Sequence, residues 1–127
     1  MKKLFSILLL AALSLAPLGT KAQNSPVFLA SATTVNANVS YGNNYFYVSL
    51  TSNITTFGFT SATADPIEPQ TVTVIFAQDA TGSRTVGYAT NVKGAPTVNS
   101  TASSYTCIKF TYDSVSQLWY GVVVAHS

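Results

Sequence analysis

Past residue 23 the chain alternates apolar and polar positions with a period of two, and no window repeats apolar residues at the spacing an amphipathic helix needs. Val35, Ala37 and Val39 share one side of such an alternation, as do Phe46, Val48 and Leu50, and then Val72, Val74 and Phe76. Successive side chains of an extended chain point to opposite faces, so each set marks the core side of a strand. Strands are predicted at about 27–30, 33–39, 45–50, 54–59, 71–77, 84–90, 104–112 and 118–124. Recurrence every 8 to 12 residues or so, with abundant Thr, Val, Tyr and Phe, predicts an all-β fold: a two-sheet β-sandwich of jelly-roll type with about eight strands. The last of them is unusual. Leu118, Tyr120, Val122 and Val124 alternate with Trp119, Gly121 and Val123, so both faces are apolar, which predicts a central strand or one covered by another subunit.

Between the strands the punctuation is local. Gly42-Asn43-Asn44 suits a hairpin turn, Asp65-Pro-Ile-Glu-Pro69 cannot sustain ladder pairing, and further loops are expected at residues 91–96 and 113–117. Residues 71–86 predict a β-hairpin. In its turn Asp79 can accept backbone hydrogen bonds, Gly82 can take the left-handed conformation, and Asp79 can pair with Arg84.

The N-terminus follows other rules. Lys2 and Lys3 precede an apolar run from Leu4 to Leu15 that ends at Thr20-Lys21-Ala22, the pattern of a cleaved signal peptide; the run is too short for the roughly 20 residues a membrane span needs. Residues 1–22 are expected to be removed, leaving residues 23–127 as one exported domain with no membrane span, at the cell surface, outside the cell or in the periplasm. Its formal charge falls from +2 to −1, because Arg84, Lys93 and Lys109 then face Asp65, Glu68, Asp79 and Asp113. Nucleic acid is therefore not an expected partner. With Cys107 alone there is no intramolecular disulfide, and its apolar surroundings read as those of a buried small hydrophobe.

Catalytic chemistry finds little support. His126 is the single histidine and lies next to the C-terminal residue, and the four carboxylates are scattered over loops without an aspartate-rich calcium pattern. A paired-carboxylate glycosidase would need Asp79 and Asp113 to meet across a cleft. No cofactor or metal is expected. Aromatic residues are the better candidates, since sugar faces stack on exposed rings: Tyr45, Tyr47, Tyr88 and Trp119 form the candidate ligand-binding set. Asn38-Val-Ser40, Asn53-Ile-Thr55 and Asn99-Ser-Thr101 fit the N-glycosylation pattern, and Asp113-Ser114-Val115 fits a short bacterial O-glycosylation acceptor.

The order Leu50-Thr-Ser-Asn-Ile-Thr55, Thr71-Val-Thr-Val-Ile-Phe, Gln78-Asp-Ala-Thr-Gly-Ser-Arg-Thr-Val86, Asn91-Val-Lys93, Ala95-Pro96-Thr97, Phe110-Thr-Tyr-Asp113 and Trp119-Tyr-Gly121 resembles a small β-module of tailed-phage tail fibres and related appendage proteins. The Gln-Asp-Ala-Thr-Gly-x-Arg-Thr segment is its most specific part. The resemblance implies a non-enzymatic structural or adhesion role, with a homo-oligomer or a cell-surface glycan as partner, and carries no catalytic residues. An extracellular carbohydrate-binding module is the alternative. Two departures stand out: Tyr88-Ala89 and Lys93-Gly94-Ala95-Pro96 replace a more aromatic, longer loop of the family, and a signal peptide precedes the module.

Overall fold

A computed structural model describes residues 25–39, 43–60, 70–94 and 96–127. The expected signal peptide and the expected loop at Asp65–Pro69 lie outside these residues. Nine strands are found among them: β1 (Val27–Ala30), β2 (Thr34–Asn38), β3 (Tyr45–Leu50), β4 (Ile54–Thr60), β5 (Thr71–Gln78), β6 (Val86–Tyr88), β7 (Val92–Lys93), β8 (Tyr105–Asp113) and β9 (Leu118–His126). The eight predicted strands all have a counterpart. The ninth, β7, has only two residues, too few to leave a periodic signature.

The strands form a two-sheet β-sandwich, with a six-stranded sheet ordered β1-β3-β5-β8-β9-β7 and a three-stranded sheet ordered β2-β4-β6. Consecutive strands from β1 to β6 alternate between the sheets, and same-sheet neighbours among them are parallel. The chain thus winds round a shared core, each strand of one sheet serving as the crossover between two parallel strands of the other. Antiparallel pairing begins only where β8 joins β5, and β8 and β9 form the one hairpin among the described strands. A jelly roll is wound from antiparallel strands, so its connectivity is not the one found. The hairpins expected at residues 42–44 and 71–86 are corrected with it: β2 and β3, like β5 and β6, lie in different sheets. Alternation cannot distinguish these cases, because a strand with one buried face has the same period whichever way its neighbour runs.

The predicted inward faces are the observed ones. Val35, Ala37, Val39, Phe46, Val48, Leu50, Val72, Val74 and Phe76 are all buried, together with Ile54, Phe57, Phe59, Ile108, Phe110 and Trp119. Aromatic rings tie the layers together. Phe57 and Phe59 of the smaller sheet meet Phe76 edge-on at 5.0 Å and stack on Trp119 at 4.2 Å, respectively. Such pairs contribute about 0.5–1.5 kcal/mol beyond the area they bury.

The turn after β5 keeps the local chemistry expected of it. Asp79 Oδ1 accepts the backbone N–H groups of Thr81 and Gly82 at 3.1 and 2.9 Å, and Asp79 Oδ2 pairs with Arg84 at 2.9 Å. Gly82 has φ of +71°, and a Cβ there would lie 2.6 Å from the backbone N of Ala102. The turn serves a different purpose from closing a hairpin. It packs on the segment before β8, with Ser83 N–H donating to Ser100 O at 2.7 Å and Ser103 N–H to Asp79 O at 2.8 Å.

Candidate functional site

The four candidate aromatics do not converge. Trp119 is fully buried between Phe59 and Tyr112, so it belongs to the core and is not a surface platform. The register explains this correction: Tyr112, an inward residue of β8, faces Trp119 across the ladder, whereas Thr111, an outward one, faces Tyr120. Tyr88 on β6 is half-buried, and its hydroxyl donates to Pro96 O at 2.7 Å. Burial pushes that phenol well above its ordinary pKa, which keeps it protonated as a donor. Only Tyr45 and Tyr47 share a surface, the outer face of the six-stranded sheet, where each is half-buried.

That outer face can be read across the sheet from the ladder registers. Phe28, Tyr47, Ile75, Cys107 and Ala125 form one row through five strands, and Tyr45, Thr73, Lys109 and Val122 the next. Phe28 packs on Tyr47 with ring centroids 5.5 Å apart yet remains 73% exposed. A depression of about 530 Å³ lined by Tyr45, Ile75, Cys107 and Lys109 lies beside this row. Cys107 is therefore half-buried on the outer face and not a core residue, because Ile108 takes the inward position. Partial burial raises its thiol pKa and favours the protonated, less nucleophilic form.

Each side of this sheet leaves an apolar stretch exposed. On one side β1 is the edge strand, with no charged residue in Val-Phe-Leu-Ala. On the other, β7 pairs β9 only at Trp119 and Tyr120, so β9 from Gly121 onward is flanked by β8 alone. There Val122 is 64% and Val124 54% exposed. The apolar character of both faces of β9 signalled this in the sequence; nothing in a four-residue β1 signalled the exposure of Phe28.

A second concavity, of about 520 Å³, opens where the smaller sheet ends at β6 while the larger continues through β8, β9 and β7. Arg84, Tyr88, Lys93 and Pro96 are among its lining residues.

The carboxylates do not form a catalytic pair. Asp79 follows the end of β5, and Asp113 closes β8 at the opposite end of the β5–β8 ladder, a separation of roughly 25 Å for eight extended residues. Each is used within its own turn. Arg84 and the Gly82 N–H hold Asp79 below the usual carboxylate range, while the Ser116 hydroxyl and Val115 N–H do the same for Asp113. Among the described residues no three His, Cys, Asp or Glu side chains come together as a metal site, and no helix is long and apolar enough to cross a membrane.

The described chain is thus an all-β sandwich in which Asp79 and Asp113 each serve their own turn and apolar residues reach the sheet edges. Residues 28–117 match the family described as "Putative phage tail fibre C-terminal domain", and the chain belongs to that family. No curated protein and no solved structure matches it.

Proposed function

We propose that residues 23–127, exported and cleaved after Ala22, form a non-enzymatic structural and adhesion module of tail-fibre type that associates through its sheet edges. The observation that carries this reading is the pair of uncharged, exposed edges on opposite flanks of the six-stranded sheet, Val27–Ala30 and the valine-rich end of β9. Soluble proteins commonly blunt such edges with Lys, Pro or bulges, since their free N–H and C=O groups template pairing with another chain. Neither edge carries a charge that a second copy would have to bury. Joining β1 of one copy to β9 of the next is a heterologous contact, which builds rings or filaments according to its rotation.

Sedimentation or light scattering of the mature chain at micromolar concentration tests the proposal. Oligomers are expected, with Phe28→Lys shifting them to monomer. A strict monomer that is also not retained on cell surfaces would overturn it.

Carbohydrate binding through exposed aromatics is the second reading, supported by Tyr45 and Tyr47 on the open face beside the depression. A glycan array with Tyr45→Ala as control tests it, and an empty array counts against it. Localisation outside the inner membrane follows from the signal peptide, and an N-terminus at Gln23 in the secreted protein would support it.

A further inference from the structure

We propose that the 520 Å³ cleft beside β6 binds an acidic oligosaccharide of uronate type. The cleft lies within the roughly 300–1,000 Å³ common for small-ligand sites. It exists for an architectural reason: β6 is the last strand of the smaller sheet, so one of its edges has no neighbour among the described strands of that sheet. The segment from Pro96 to Ser100 forms the facing wall, and the Tyr88 hydroxyl, donating to Pro96 O at 2.7 Å, links the two walls.

Its lining selects by charge. Arg84 and Lys93 contribute to it and, among the described residues, no carboxylate does. Asp79 neutralises much of Arg84, but Lys93 forms no ion pair among the described residues, so the cleft keeps a net positive character and favours an anion. Hydroxyls then distinguish a sugar from a simple anion. Thr85, Thr90, Thr97 and Ser100 line the same space, and hydroxyls both donate and accept, as the hydroxyls of a saccharide ring do.

Arg84 is also held in advance. The buried Gln78 side chain accepts the Arg84 N–H at 3.0 Å and donates to the Arg84 carbonyl at 2.8 Å. Asp79 Oδ2 fixes the guanidinium from Nε at 3.2 Å and Nη2 at 2.9 Å, leaving its remaining N–H groups for a ligand. A donor fixed before binding loses little conformational freedom on binding.

This inference rests on the attachment reading, since it names the chemistry of a surface the module would meet. It is tested by calorimetric titration of the mature chain with hexagalacturonate, a neutral hexasaccharide and sodium sulfate. Hexagalacturonate is expected to bind on the order of 10-fold more tightly than the neutral sugar, the scale of one charge-assisted hydrogen bond. Lys93→Gln, at an exposed position of β7, should remove most of that preference with an unchanged melting temperature. Thr97→Val should weaken both acidic and neutral binding by roughly 2- to 5-fold. Equal binding of the two sugars, no binding, an unchanged preference in Lys93→Gln, or sulfate binding as tight as hexagalacturonate would each overturn the proposal. Phe28→Lys should leave the titration unaltered, and a titration lost with it would overturn the cleft as the site. A monomeric chain that is not retained on cells yet still prefers hexagalacturonate would sink the attachment reading alone and support the cleft.

Discussion

Both halves of β9 are largely apolar, yet they meet different surroundings. Its first half carries Trp119 into the core, flanked by β8 and β7 and stacked on Phe59. Its second half carries Val122, Val123 and Val124, which are 64%, 36% and 54% exposed. Hydrophobicity does not separate them; face and cover do: Tyr120 and Val122 point to the outer face and are 44% and 64% exposed, whereas Val123, opposite the inward Ile108, is the position that cover fails to reach. The smaller sheet stops at β6, and the segment leading into β8 substitutes for the missing strand over the first half only. Pro96 and Val98 are buried there, and the Pro96 ring lies against Gly121. Where that cover ends, β8 is the only described strand beside β9.

The covered half can be broken most severely at its anchor. Trp119→Ala should cost about 3–5 kcal/mol, the range for emptying a large aromatic site in a core, seen as a lower midpoint in urea denaturation. A loss below about 1 kcal/mol would mean that Trp119 is not the anchor. Next in size is the turn that holds the covering segment. Gly82→Val forces a β-branched residue into positive φ and pushes a Cβ into the Ala102 backbone, at an expected cost of about 2–3 kcal/mol. If the segment is the cover, hydrogen exchange at Trp119 should quicken more than at Val74; equal changes would contradict this.

A gentler probe of the same turn is pH. The pKa of Asp79 is depressed in the folded protein, foremost by Arg84, so its contribution is present above the unfolded-state pKa and is lost as pH falls through the folded value. Asp79→Asn should accordingly lower stability at pH 7, where that contribution is complete, and flatten the profile as pH falls below the usual carboxylate range. A profile unchanged by the substitution would remove the Asp79–Arg84 pair from the account. The smallest effect on stability belongs to the exposed half. Val124→Lys should stay within about 0.5 kcal/mol of the parent chain, while shifting sedimentation from oligomer to monomer. Oligomers that persist in Val124→Lys and in Phe28→Lys alike would show that the edges are not the contact.

Strand positions were legible because a buried face imposes its period of two on the residues themselves, as in Val72, Val74 and Phe76. The Asp79–Gly82–Arg84 turn was legible for a related reason: each member bonds within a few residues, so spacing alone specifies it. The candidate site was far less legible. Tyr45 and Tyr47 were correctly placed opposite Phe46 and Val48, yet Trp119 and Tyr120 exchange the faces that a surface platform would require. Their faces are set by the turn joining β8 to β9, which puts Trp119 opposite the inward Tyr112, and with both faces of β9 apolar the alternation does not say which side is inward.

By itself the sequence determined the class of fold, the core sides of the strands that have one apolar face and the turn chemistry, all of which follow from interactions within a strand or a turn. Tertiary structure alone decided which strands pair and in which direction, and hence that residues 71–86 bridge two sheets. It decided too that one sheet has six strands and the other three. That inequality leaves β9 half covered and opens the cleft at Arg84 and Lys93, because both depend on where the chain crosses between layers, a choice that the alternation of apolar and polar residues leaves undetermined.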